Sequence, residues 1–252
     1  MVNPSTSARS PLSPPPSTAD AFAWWRSLLY ALLLVAGFAA GLGLAVGALL
    51  ATHTPFANPA HPVLNWGVIA GQILSYVPVL AVLALGLPWL ARRPLSALGL
   101  RPPGPRELSW GLGGGALMLA VTLLVAALQN AVLHLKTEQL PVQLLAGAHD
   151  RALIAGFALL ACVLAPLVEE FVFRGFVFNA LERYLPFWPA AVASGAAFGL
   201  AHWDASAFAP LCTGGIVLAW VYRRSGALTS SMVAHGTFNA VQVLLIVFAH
   251  QT

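Results

Sequence analysis

The chain has 252 residues, of which 59% are hydrophobic and only 8% charged, and a formal net charge of +4. Ordinary soluble domains carry roughly 25% charged residues, so this composition excludes a soluble globular domain and predicts an all-helical, polytopic transmembrane bundle. The positive surplus does not point to nucleic acid, because the basic residues stand between long apolar runs rather than in one patch.

In chain order, residues 1–22 are rich in Pro and Ser with no apolar face and predict a disordered tail. Prolines separate Arg9 from the first apolar run, which argues against a secretory leader. Residues 23–252 read as one transmembrane domain with its reactive core at 151–249. Helices of about 20 residues cross a hydrocarbon core ~30 Å thick. Seven spans are expected, at about 27–50, 65–90, 108–134, 151–181, 187–203, 206–222 and 227–249. With the N-terminus in the cytoplasm, Arg9, Arg26, Arg92, Arg93, Arg101, Arg106, Arg183, Arg223 and Arg224 fall inside, against Lys136 and Arg151 outside. That asymmetry satisfies the positive-inside bias and places the C-terminus outside. It also accounts for the arginines at 92–106 without an anionic-lipid site. Cys162 and Cys212 lie in apolar spans at no metal-ligand spacing and read as small buried hydrophobes.

The fourth span contains LAPLVEEFVFRGFVF, residues 164–178. Each charge at the centre of a membrane helix costs about 2.5–3.5 kcal/mol on insertion scales, so charges kept there have work to do. Glu170 and Arg174 are four apart and share a face, so they can pair, with the acid on the better, N-terminal side. Glu169 lies about 100° round the helix and is the carboxylate left free for chemistry. Pro166 removes a backbone donor, which should leave the carbonyl of Cys162 unpaired and kink the helix just before the glutamates.

On the fifth span Ala191, Gly195 and Gly199 recur every four residues, a spacing that lets a neighbouring helix approach closely. Phe198 and His202 share another face of that span, and His235 and Asn239 share one face of the seventh. Glu169, His202, His235 and Asn239 lie roughly 16–22 Å of helix rise from the cytoplasmic anchors, hence in one layer near mid-membrane. Asp204, in the connection WDAS, reads as a turn or cap residue rather than a metal ligand.

A carboxylate, two imidazoles and a carboxamide at one depth suit amide hydrolysis. Glu169 can act as general base on a water held with His202, while His235 and Asn239 donate to the oxyanion. Glu169, His202 and His235 could instead hold a divalent metal such as zinc, with an open position for water. The residues leave both routes open.

EEFVFR fits E-E-x-x-x-R, FGLAH fits F-x-x-x-H and HGTFN fits H-x-x-x-N, in that order on successive core helices. Together they resemble the CPBP family of intramembrane proteases, named for CAAX proteases and bacteriocin-processing enzymes and also called the Abi family. The resemblance covers roughly 151–249, with a softer likeness in LSALGLRPP at 95–103. It implies an all-helical fold whose polar core hydrolyses peptide bonds, near the C-terminus of prenylated CAAX proteins in eukaryotic relatives. It further implies that Glu169 activates water with His202, that Glu170 and Arg174 support it, and that His235 and Asn239 stabilise the oxyanion. Cofactor use is either a divalent metal or none. The partners implied are a peptide or protein substrate within the membrane and the lipid bilayer. H-E-x-x-H, G-x-S-G and G-x-G-D are absent, which removes other intramembrane protease classes.

Two rivals remain at this level. One is a non-catalytic membrane protein, such as a bacteriocin self-immunity factor or a scaffold. The other is an ion or proton transporter, which would spread its titratable groups over several depths rather than one layer. Substrate identity and oligomeric state are not encoded in any motif, and the Ala-, Gly- and Pro-rich composition points to a bacterial source.

Overall fold

The computed structural model describes residues 23–51, 63–90, 98–135 and 140–251, with backbone alone for 23–27, 86–90 and 250–251. The expected tail at 1–22, together with Arg92, Arg93 and Lys136, lies outside the described residues. Among the described residues the fold is all-helical, without a strand. The helices are α1 Ala23–Ala51, α2 Trp66–Leu90, α3 Pro105–Leu133, α4 Leu140–Ala146, the composite α5 Arg151–Leu181, α6 Phe187–Leu200, α7 Phe208–Ser225 and α8 Leu228–Gln251.

Five of these, α1, α2, α3, α5 and α8, are long and apolar enough to cross a membrane. The sequence expectation was seven. α6 has fourteen residues, about 21 Å of helix, and α7 ends in Arg223 and Arg224. Outward faces are apolar to a degree that water would penalise: Val35 is 67% exposed and Val132 72%. Leucines on these faces are the surface a bilayer solvates.

α6, α7 and α8 pack against α5, α3 packs on α7 and α8, and α1 pairs with α2, which meets α5 along one side. The small residues on α6 do what their spacing predicts. A Cβ on Gly195 would stand 2.6 Å from the carbonyl oxygen of Cys212, and one on Gly215 of α7 would stand 2.7 Å from Gly195 Cα. The two backbones touch there because neither position has a side chain. α7 and α8 are joined through Gly226, whose left-handed φ of 67° lets its N–H cap the carbonyl of Tyr222. At the far end of α5, Arg223 Nε meets Glu182 at 3.0 Å; burial pushes this carboxyl up, and the guanidinium offsets only part of that.

α5 departs from a regular helix around Pro166. Residues Leu160–Leu164 form a π-helical turn, in which Ala165 N–H reaches back five residues to Leu160. In that register the carbonyl that Pro166 fails to serve belongs to Ala161, not Cys162 as a regular helix would have it. The Ala161 carbonyl instead accepts a hydrogen bond from Asn239 Nδ2 of α8 at 2.6 Å. Asn239→Leu is therefore expected to leave a carbonyl unpaired within the bundle and to cost about 1–3 kcal/mol. Asn239→Asp, which cannot donate when ionised, should cost at least as much. Denaturant unfolding in detergent measures both, and stability equal to the parent in both would remove this role for Asn239.

Candidate active site

The first carboxylate is locked. Glu170 and Arg174 are both fully buried and pair at 2.8 Å. Arg174 Nη2 donates to the Gly215 carbonyl at 2.9 Å, and its guanidinium carbon sits 4.8 Å from the Phe198 ring centre, a cation–π contact. Glu170 also accepts from the Ser231 hydroxyl and from His235 Nδ1, the latter at 3.0 Å. Three donors converge on one carboxylate, which is the pattern of an ionised acid held in low dielectric. The pairing of Glu170 with Arg174 follows the spacing read from the sequence, whereas Ser231 carried no sequence signal beyond its place near His235.

The second carboxylate is free by comparison. Glu169 has 16% of its side chain exposed, and its Oε2 stands 3.9 Å from His235 Nε2. Its Oε1 accepts from the Tyr76 hydroxyl of α2 at 3.3 Å. Glu169 borders a cavity of about 380 Å³ that Gln72, Tyr76, His202, His235, Asn239 and Gln242 also line, among apolar walls such as Phe38, Met118, Leu145 and Phe173. That volume holds several waters, each of which occupies about 30 Å³ in the liquid. The four groups assigned to one depth thus meet at one cavity, while Glu170 and Arg174 stand behind its wall.

The imidazoles have defined tautomers by argument from their partners. His202 Nδ1 lies 2.8 Å from the Phe198 carbonyl, which only accepts, so Nδ1 carries the proton and Nε2 offers a lone pair. His235 Nδ1 faces the Glu170 carboxylate, which only accepts, and so carries a hydrogen. The sequence expectation gave His235 to the oxyanion or to a metal; the structure places it between the two glutamates. Phe198 organises the layer, with ring centres 4.7 Å from His202 and 5.6 Å from His235. Asn239 keeps one amide hydrogen beyond the one that Ala161 takes. Asp204 accepts from the N–H and hydroxyl of Ser206 and from the N–H of Ala207, as a turn residue does.

Among the described residues, no three His, Cys, Asp or Glu side chains form a group that could hold a metal ion as they stand. Glu169, His202 and His235 share the cavity without closing into a tripod, and both histidines spend Nδ1 on protein partners, which leaves Nε2 as the nitrogen a metal would take.

A family model described as Rce1-like, type II CAAX prenyl endopeptidase, matches residues 151–241. The match bears out the resemblance carried by the three motifs. It spans α5, α6, α7 and most of α8, and it leaves α1, α2 and α3 outside. No curated protein and no solved structure matches the chain.

Proposed function

From the match of residues 151–241 to the Rce1-like family, we propose that this multi-pass membrane protein is an intramembrane endopeptidase that cleaves peptide bonds of membrane-embedded substrates with a glutamate-activated water. The observation that carries the reading is the division of the two adjacent glutamates: Glu170 is saturated by Arg174, Ser231 and His235, while Glu169 is left on a cavity with His202.

In this mechanism a water sits between Glu169 and His202 Nε2, which has a lone pair to accept its second hydrogen. Glu169 takes one proton, the hydroxide oxygen adds to the scissile carbonyl carbon, and the proton passes from Glu169 to the departing amine. The oxyanion receives the second amide hydrogen of Asn239 and a hydrogen from His235 Nε2. His235 can donate there only as an imidazolium, because its other nitrogen already serves Glu170. That cation also balances charge: two carboxylates and one guanidinium leave one negative charge, which one proton cancels. Low dielectric raises the worth of both donors.

The topology belongs to the same reading. α6 and α7 form a hairpin that enters the membrane alongside the five long helices, giving seven segments, with the N-terminus cytoplasmic and Arg101, Arg106, Arg183, Arg223 and Arg224 on that side.

The test compares membrane-protein fragments from cells making the parent chain or Glu169→Gln. A fragment present with the parent and lost with the variant identifies a substrate; identical fragment patterns would sink the assignment and favour a self-immunity or scaffold role. Elemental analysis of active protein and chelation test metal use separately. The expected result is full activity without stoichiometric metal.

A further inference from the structure

We propose that Tyr76, on a helix outside the family-matched segment, is a positioning residue that fixes the orientation of Glu169; this rests on Glu169 being the general base. Among the described residues Glu170 has three donors, but Glu169 has one, the Tyr76 hydroxyl at 3.3 Å from Oε1. The groups that face Glu169 are Tyr76 from α2, His235 from α8, Glu170 and Arg174 on its own helix, and His202 across the cavity. Among the described residues none of the others donates a hydrogen bond to it, His235 Nε2 standing off at 3.9 Å. Arg174 spends Nη1 on Glu170 and Nη2 on Gly215. His235 and His202 spend their Nδ1 hydrogens on Glu170 and on the Phe198 carbonyl.

A glutamate side chain has three rotatable bonds, and one bordering a cavity loses its orientation unless a second group holds it. The phenol has a single hydrogen, and an ionised carboxylate can only accept it. The bond therefore pins Oε1 and leaves Oε2, on the His235 side, to meet the water. At 3.3 Å the bond is long beside the ~2.8 Å usual for O–H···O, and such bonds commonly tighten once substrate is bound.

Tyr76 is itself held. It is 6% exposed, and its helix is seated against α5 at a second height, where a Cβ on Gly156 would stand 3.0 Å from the Trp66 ring. The α1–α2 pair thus does more than wall the cavity: it supplies the donor that the matched segment lacks for its own base.

The substrate for the test is the membrane peptide whose cleavage is lost with Glu169→Gln, used with the full chain in proteoliposomes. Tyr76→Phe keeps the ring and removes the hydroxyl. It is expected to lower kcat roughly ten- to hundredfold with KM unchanged, as loss of one hydrogen bond to a charged group does. Trp66→Phe loosens the same helix without touching the hydroxyl and is expected to keep the parent kcat. An unchanged kcat in Tyr76→Phe overturns the proposal while leaving Glu169 as the base, provided Glu169→Gln is inactive. A rise in KM alone, or an equal fall in kcat for Trp66→Phe, also overturns it, since either makes Tyr76 a wall residue. If no peptide depends on Glu169, the proposed function itself fails, and this inference falls with it.

Discussion

Glu170→Ala is expected to lower the unfolding free energy by about 3–5 kcal/mol, because it leaves the Arg174 guanidinium buried without its counter-charge. Arg174 is fully buried and its Nε already has no partner, so the orphaned cation has little with which to compensate. The same substitution strips the acceptor from His235 Nδ1 and leaves the Ser231 hydroxyl with the Leu218 carbonyl. Glu170→Leu combined with Arg174→Leu should recover much of the loss, since replacing both members of a buried pair by apolar groups is often neutral or stabilising. Chemical unfolding in detergent gives both values. A single variant as stable as the parent, or a double variant no better than the single, contradicts the account of Glu170 as the structural member of the pair.

Glu169→Gln is expected to behave in the opposite way. It is nearly isosteric, its side chain borders the cavity, and it engages only Tyr76 and a distant His235, so stability should change by less than about 1 kcal/mol. Cleavage should fall by at least the 10²–10⁴-fold that a positioned general base contributes. His202→Ala should lose a similar factor, because the water then has one anchor instead of two. Unfolding midpoints and turnover measured on the same preparations separate the two glutamates: one variant unstable, the other stable and inactive. Glu169→Gln with parental turnover would remove the proposed base.

Much of the site was legible from local spacing. A charged pair four apart on an apolar helix has few ways to be satisfied, and Glu170 with Arg174 takes the expected one. Ala191, Gly195 and Gly199 predicted a close helix contact, which α7 supplies through Gly215. Depth counting at a fixed rise per residue brought Glu169, His202, His235 and Asn239 to one layer, and they share one cavity.

What was not legible depends on contacts between distant segments. Tyr76 sits 93 residues before Glu169, and a tyrosine in an apolar helix has no pattern that reveals its partner. Ser231 likewise reads as a small residue near a helix start. The π-helical turn before Pro166 shifted the unpaired carbonyl from Cys162 to Ala161, and only the arrival of Asn239 at 2.6 Å shows that this carbonyl is served. His235 was read from its i,i+4 relation to Asn239, yet its strongest contact is Glu170, 65 residues away. The span count differs for a simpler reason. Charge-free runs mark apolar segments, but α6, with fourteen residues, is too short for a ~30 Å core on its own.

The central claim is that Glu169 activates water for peptide-bond hydrolysis within the membrane. Its most direct measurement is cleavage, in ¹⁸O-labelled water, of the membrane peptide identified in cells, by purified chain reconstituted in lipid vesicles. The parent should release a product carboxylate carrying ¹⁸O, and folded Glu169→Gln should release none above background. Equal cleavage by both would contradict the account.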